Sequence, residues 1–168
     1  MKHRRCAAGL TTLASAALLV SVQTPTASAA TFTAELVARH SQKCASVENA
    51  STQNNARVIQ YDCVNGTNQQ WKLVATSAGY YTVSAVNSDK CLSVEGASTQ
   101  NGAKAVQFEC QGGTNQEWRL VQKDSGYFSI EARHSGKCLS VTNASTQNGA
   151  TLIQYDCVEG HNQHFRLG

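Results

Sequence analysis

Six cysteines at a constant spacing are the residues of this sequence best placed to do chemistry. In each pair the second cysteine follows the first by 19 positions, and an Asn-Gln step follows five positions later. The cysteines are Cys44, Cys63, Cys91, Cys110, Cys138 and Cys157. They lack the short Cys-x-x-Cys spacing of zinc sites, so they indicate disulfide bonds formed in an oxidising compartment.

The cysteine pairs belong to a repeat of 47 residues that occurs three times. Between Cys44 and Trp71, 19 of 28 positions are identical to the stretch from Cys138 to Phe165. Copies of a repeat share one local structure. Self-similarity therefore favours one bridge within each copy: Cys44 with Cys63, Cys91 with Cys110, and Cys138 with Cys157.

Residues 1–30 have the pattern of a secretory signal peptide. A basic start is followed by an Ala/Leu-rich stretch too short for a membrane span, and then by small residues suited to cleavage near Ala29 or Ala30. Lys2, Arg4 and Arg5 account for the whole formal surplus of three charges, which leaves 11 Lys+Arg against 11 Asp+Glu in residues 31–168. The mature chain is thus predicted to be secreted and neutral, which argues against a nucleic-acid partner.

Catalytic and metal-binding patterns are missing from the sequence. No Ser/His/Asp order, zinc-protease motif or phosphate loop is present, and the histidines share no ligand spacing. We therefore predict a protein that is not an enzyme and that needs no cofactor or metal.

The elements that must position the repeated residues are short strands. An extended segment from Cys138, a polar turn ending at Gly149 and a second extended segment to Cys157 predict a hairpin enclosed by the bridge. No stretch of the mature chain shows a helical apolar period. The sequence predicts an all-β protein of about twelve short strands, in which Trp71, Trp118 and Phe165 fill a shared core.

Each copy closes on a Gln-x-aromatic motif: Asn-Gln-Gln-Trp71, Asn-Gln-Glu-Trp118 and Asn-Gln-His-Phe165. Preceded by a disulfide hairpin, these motifs resemble the Gln-x-Trp repeats of ricin B-type lectin domains over about residues 32–168. The resemblance implies a β-trefoil of three pseudo-symmetric lobes, over about residues 32–79, 80–126 and 127–168. The predicted domains are thus a signal peptide, 1–30, and a lectin domain, 31–168.

The resemblance also implies a shallow sugar site in each lobe. In the family, an acidic residue shortly after the first cysteine accepts hydrogen bonds from neighbouring sugar hydroxyls. An aromatic residue two places before the second cysteine stacks on the sugar ring, and the Asn of Asn-Gln adds a polar contact. The aromatic position falls on Tyr61, Phe108 and Tyr155. The amide position falls on Asn68, Asn115 and Asn162.

The acidic position departs from the family pattern in every lobe. It holds Ser46, Ser93 and Ser140. A hydrogen bond to a charged group is worth about 1.5–3 kcal/mol against about 1 kcal/mol for a neutral pair, so serine predicts weaker sites.

Two glutamates offer a displaced acceptor. In a strand the residue two places on faces the same side, which places Glu48 beside Ser46 and Glu95 beside Ser93. The alternative is that both are solvated surface acids. Lobe 1, with a tyrosine and a glutamate, is the strongest predicted site, unless its ring faces the core.

The predicted function is a secreted carbohydrate-binding protein. Its expected partners are galactose-type sugars or a plant or microbial polysaccharide, without a membrane span. The alternative is a protein-binding trefoil, such as an inhibitor or partner of a secreted hydrolase, in which the sugar sites have degenerated.

Overall fold

The computed structural model describes residues 30–76, 79–124 and 126–168. The signal-peptide prediction concerns residues that, up to position 29, lie outside this part of the chain. Within it, no helix is long and apolar enough to cross a membrane.

Twelve strands make up the described chain, four to a lobe. Lobe 1 contains β1 (Thr31–Ala38), β2 (Cys44–Val47), β3 (Val58–Tyr61) and β4 (Gln70–Ala75). Lobe 2 contains β5 (Tyr81–Ala85), β6 (Cys91–Val94), β7 (Ala105–Phe108) and β8 (Glu117–Gln122). Lobe 3 contains β9 (Phe128–Ala132), β10 (Cys138–Val141), β11 (Leu152–Tyr155) and β12 (His164–Leu167). The predicted all-β trefoil of about twelve strands is confirmed.

Six of the strands close a barrel. Antiparallel pairing runs from β1 to β4, β5, β8, β9 and β12, and β12 pairs back to β1. A closed ring leaves no barrel strand with an unpaired edge, which explains how such short strands remain stable.

The other six strands form three hairpins beside the barrel: β2–β3, β6–β7 and β10–β11. Each hairpin carries one disulfide bond, with a Cα–Cα distance of 5.1–5.2 Å. The bridges are Cys44–Cys63, Cys91–Cys110 and Cys138–Cys157, as predicted. Each fastens the start of the first hairpin strand to the segment that follows the second.

The first strand of every hairpin stops abruptly. β2, β6 and β10 run into the 3-10 turns Glu48–Ala50, Glu95–Ala97 and Thr142–Ala144. The second residue of each turn has a positive φ of 50–60° and is Asn or Gly, the types that tolerate it best. Further 3-10 turns, Thr114–Gln116 and His161–Gln163, precede β8 and β12.

The predicted core aromatics are confirmed. Trp71 and Trp118 are 0% exposed and Phe165 is 1% exposed. The indole N–H groups do not remain unsatisfied, because Trp71 donates to Ala45 O at 3.0 Å and Trp118 donates to Leu92 O at 2.9 Å. Each indole thereby ties a barrel strand to the hairpin of its own lobe.

Buried glutamines join each lobe to a neighbouring one. Gln60 Nε2 in β3 donates to Ser145 O at 2.6 Å and to Gln147 O at 2.8 Å, while Gln60 Oε1 accepts from Ser41 Oγ at 2.8 Å. Gln107 and Gln154 repeat this arrangement, so the contacts run around the threefold axis. We call these three residues the latch glutamines, and each is 0% exposed.

Replacing a latch glutamine should be costly. Gln60→Ala removes three hydrogen bonds, to Ser145 O, Gln147 O and Ser41 Oγ, and empties a fully buried side-chain position, so we expect it to lower the free energy of unfolding by roughly 2–4 kcal/mol in urea titration. Gln53→Ala, which truncates an exposed side chain, is the matched control and should stay within about 0.5 kcal/mol of the parent. Equal effects of the two changes would contradict the latch.

His164, at the start of β12, is a buried ionisable group found in lobe 3 alone. Its ring is 5% exposed, and Nε2 lies 3.5 Å from Glu159 Oε2. Burial lowers the pKa of His164, and Glu159 offsets this only in part. Because the pKa is lower in the folded chain, the unfolded chain takes up a proton first as the pH falls.

The histidine therefore predicts a loss of stability on mild acidification. Its effect is absent well above the unfolded-state pKa of about 6.5 and grows as the pH falls below it. His164→Gln, which installs the residue found at the equivalent Gln70, should flatten the decline in melting temperature between about pH 7 and pH 5. His134→Asn, which installs the residue found at the equivalent Asn87, is the control and should keep the parent slope. A parent-like slope in His164→Gln would refute the prediction.

Candidate functional site

Three equivalent hollows lie on the outer surface, one against each hairpin. Their volumes are about 230 Å³ in lobe 1, 360 Å³ in lobe 2 and 310 Å³ in lobe 3. The shared lining comprises the predicted serine, aromatic and amide residues: Ser46, Tyr61 and Asn68; Ser93, Phe108 and Asn115; Ser140, Tyr155 and Asn162. The structure thus brings the three predicted groups together in every lobe.

Strand alternation decides which way the aromatic rings face. In β3 the latch residue Gln60 is fully buried, so the next side chain, Tyr61, faces outward and is 44% exposed. Tyr155 is 42% exposed, and Phe108 is half-buried. An inward-facing ring, the alternative considered for Tyr61, is not what the structure shows.

In lobes 1 and 3 the amide is bound to the serine. Asn68 Nδ2 donates to Ser46 Oγ and to Val47 O, both at 2.9 Å. Asn162 Nδ2 makes the equivalent bonds to Ser140 Oγ and Val141 O at 3.0 Å. The serine oxygen therefore accepts from the asparagine and keeps its own O–H free to donate. In place of the expected carboxylate, these hollows therefore contain a neutral hydroxyl, and the serine that carries it is only 3% exposed.

A glycine two residues before each asparagine makes room for the amide. A Cβ at Gly66 would lie 2.6 Å from Asn68 Oδ1, and Gly113 and Gly160 stand in the same relation to their asparagines. Such a distance is far shorter than a van der Waals contact. We did not predict this role, although the repetition of Gly-x-Asn at the 47-residue spacing could have signalled it.

Lobe 2 has a different polar arrangement. Ser93 Oγ donates to Cys91 O at 3.2 Å and accepts from Gln116 Nε2 at 2.8 Å. Within the described part of the chain, Asn115 Nδ2 donates only to Val94 O, at 3.2 Å. The second N–H of this amide is thus left for a ligand. Asn55, which comes from lobe 1, also lines this hollow.

The two predicted glutamates have different environments. Glu48 is not among the residues that line the lobe 1 hollow; it forms a two-pronged ion pair with Arg57, whose pKa it raises. Because β2 ends at Val47, strand alternation from Ser46 does not extend to Glu48. Glu95 is exposed and lines the lobe 2 hollow. At the equivalent position lobe 3 has Thr142.

The glutamine after each asparagine supports the hollow from beneath. Gln69 Nε2 donates to Asp62 O, and Gln69 Oε1 accepts from Val64 N, both at 2.8 Å. Gln116 and Gln163 make the same pair of bonds. These residues hold the backbone that follows the aromatic ring.

The model of the family described as ricin-type beta-trefoil lectin domain matches residues 32–165. The chain belongs to this family. It is therefore a lectin-type module, and the resemblance seen in the Gln-x-Trp repeats is confirmed. No curated protein matches the sequence.

Solved structures with the same fold include lectins and parts of larger proteins. A designed threefold-symmetric protein, ThreeFoil, shares 53% identity over 80% of this chain and 96% of its own, with a TM-score of 0.79. An exo-beta-1,3-galactanase from Clostridium thermocellum shares 32% identity over 85% of this chain, which spans 30% of that enzyme, with a TM-score of 0.78. The Rhizoctonia solani agglutinin shares the fold at 20% identity, over 88% of this chain and 98% of its own, with a TM-score of 0.75.

The close approach at Gly66 can be tested by a double-mutant cycle. Gly66→Ala forces Asn68 to move and breaks its bonds to Ser46 and Val47, so we expect a loss of about 1–3 kcal/mol of unfolding free energy. In an Asn68→Ala background the same change should cost much less, because the clashing oxygen is gone. An equal cost in both backgrounds, measured by denaturant unfolding, would show that the glycine serves another purpose.

Proposed function

We propose that this protein is a secreted, non-catalytic carbohydrate-binding protein whose tyrosine-lined hollows in lobes 1 and 3 bind neutral sugars. The observation that carries the proposal is the convergence of an exposed ring, an amide and a serine in one shallow hollow, repeated at corresponding places. Family membership supports the same conclusion.

Binding would rest on stacking. The apolar face of a pyranose packs against the ring of Tyr61, whose hydroxyl stays hydrated at the edge. Val64, 64% exposed, lies beside the ring in the lobe 1 hollow and extends the apolar surface, and Val158 does so in lobe 3. The serine hydroxyl then donates to a sugar oxygen. Such a site is weak by itself because it has no charged acceptor.

Repetition compensates for weak sites. Two equivalent hollows on one rigid barrel, in lobes 1 and 3, let a polymer engage the second site once the first is occupied, which raises the effective concentration without a new contact. A polysaccharide or a dense glycan surface is therefore a better ligand than a free monosaccharide.

Galactose-type sugar is the first candidate for the ligand. The exo-beta-1,3-galactanase is 32% identical over 85% of this chain, and a galactanase acts on a galactan. The catalytic activity belongs to that protein. What we carry over is the class of polymer, as a hypothesis for lobes 1 and 3.

Export fits the chemistry of the fold. Three disulfide bonds form and persist in an oxidising compartment, and residues 1–30 have a signal-peptide pattern. A protein-binding trefoil is the second candidate, and the serine at every acidic position is the observation that favours it.

A galactan pull-down tests the proposal. The mature protein should be retained by insoluble beta-1,3-galactan and released by soluble oligosaccharide. Removing one ring, as in Tyr61→Ala, should weaken binding roughly three- to tenfold. The double variant Tyr61→Ala/Tyr155→Ala should lose retention almost completely, because the gain from multivalency disappears as well.

Tyr80→Ala is the matched control, since Tyr80 lines none of the three hollows. It should bind as the parent does. Retention that survives in the double variant would refute the tyrosine hollows. Failure to bind any polysaccharide, combined with capture of a secreted protein that free sugar does not release, would favour the protein-binding alternative.

A further inference from the structure

The lobe 2 hollow contains an acid that has no counterpart in the other two hollows. Glu95 is exposed, lines the hollow and, among the described residues, forms no ion pair. In lobe 1 the equivalent Glu48 is neutralised by Arg57, and in lobe 3 the position is Thr142. The same fold thus presents one negatively charged hollow and two neutral ones.

Among the residues that the structure describes, no neighbouring cation takes the place of Arg57 in lobe 2. Lys104 is the equivalent residue, and its backbone O accepts from Glu95 N at 2.9 Å, but its ammonium forms no ion pair with Glu95. Lys90 is 4.0 Å from Glu109, which does not line the hollow. The carboxylate of Glu95 is therefore available to form an ion pair with a positively charged group on a ligand.

The rest of the hollow suits a small cation linked to a sugar ring. Phe108 lines the same space, and the face of an aromatic ring attracts a cation. Unlike Tyr61 and Tyr155, it has no hydroxyl. Asn115 keeps one N–H free, and Asn55 adds a second amide from lobe 1. A carboxylate, an aromatic ring and two amides match an ammonium group flanked by hydroxyls.

We propose that the lobe 2 hollow binds a protonated amino sugar, such as a glucosamine unit of a de-N-acetylated polysaccharide, with its ammonium held by Glu95 and Phe108. This inference rests on the proposed function, because it assigns a ligand class to one of the same three hollows. N-acetylation removes the charge and adds bulk, so the acetylated sugar should bind less well.

Binding to lobe 2 can be isolated with short ligands. In the Tyr61→Ala/Tyr155→Ala background, calorimetry compares the trisaccharide of beta-1,4-linked glucosamine with its N-acetylated form. We expect the free amine to bind about five- to tenfold more tightly at low salt, with the preference shrinking as salt rises. Glu95→Gln should abolish the preference.

Glu109→Gln is the matched control, because it removes an exposed acid of the same lobe that does not line the hollow. The preference should survive this change. Melting temperatures of both variants should match that of their background, since neither side chain is buried. An unchanged preference in Glu95→Gln, or equal losses in the two variants, would overturn the proposal.

The parent protein and beta-1,3-galactan distinguish the two hypotheses. If galactan binds through the tyrosines and the amine preference is missing, the amino-sugar inference fails and the proposed function stands. If neither galactan nor either trisaccharide binds, both fail. If the preference for the free amine is present and depends on Glu95 while galactan does not bind, the lobe 2 hollow binds sugar and the hollows of lobes 1 and 3 do not.

Discussion

The hydrogen bonds of the latch glutamines are the constraint on which the rest of this structure depends. Gln60 is buried in β3, where it binds two carbonyls of lobe 3 and the hydroxyl of Ser41. Because side chains alternate along a strand, fixing Gln60 inward fixes Tyr61 outward. The hydrogen bonds of Gln60 therefore join lobe 1 to lobe 3 and also keep the ring of Tyr61 on the outer surface. Because Gln60 makes all of these bonds from a fully buried position, a shift in strand register would break them together.

On this common scaffold the three lobes have diverged in chemistry. Lobes 1 and 3 pair serine with asparagine beneath an exposed tyrosine, whereas in lobe 2 the serine bonds to Cys91 O and Gln116 and the hollow exposes Glu95. None of these changes alters the barrel, whose stability lies in the closed ring of strands, the buried aromatics and the latch. Binding residues at hairpin edges can thus vary without cost to the fold. Membership in the family predicts the fold, whereas the ligand has to be inferred from the residues that line the hollows.

Much of the architecture could be predicted from the sequence because the repeat makes within-lobe relations explicit. A fixed spacing pairs Cys44 with Cys63, and a shared apolar position places Trp71 in the core. Alternation, however, holds only while the strand continues. The prediction that Glu48 faces the same way as Ser46 assumed that β2 continues, whereas β2 ends at Val47 and a 3-10 turn begins at Glu48. Nothing in the sequence indicated that Arg57 would bind the carboxylate of Glu48.

Relations between lobes were harder to predict. The sequence left the role of Gln60 open, because its partners lie more than 80 positions away in the chain. Asn55 reaches the lobe 2 hollow for the same reason: hairpin loops of one lobe pack on the strands of the next. The contrast between Ser46 and Ser93 was also hidden, since both lobes have the same Ser, Asn and Gln residues, yet Ser46 accepts from Asn68 whereas Ser93 accepts from Gln116.

We propose that this protein binds sugar in the hollows beside its hairpins. The most direct measurement is an NMR titration of the isotopically labelled mature protein with a beta-1,3-linked galactose oligosaccharide. We expect the chemical-shift changes of backbone amides to concentrate on the segments around Tyr61 and Tyr155 and on Asn68 and Asn162. These changes should saturate as ligand is added. Saturable shifts confined to the barrel strands or to the far end of the lobes would contradict it.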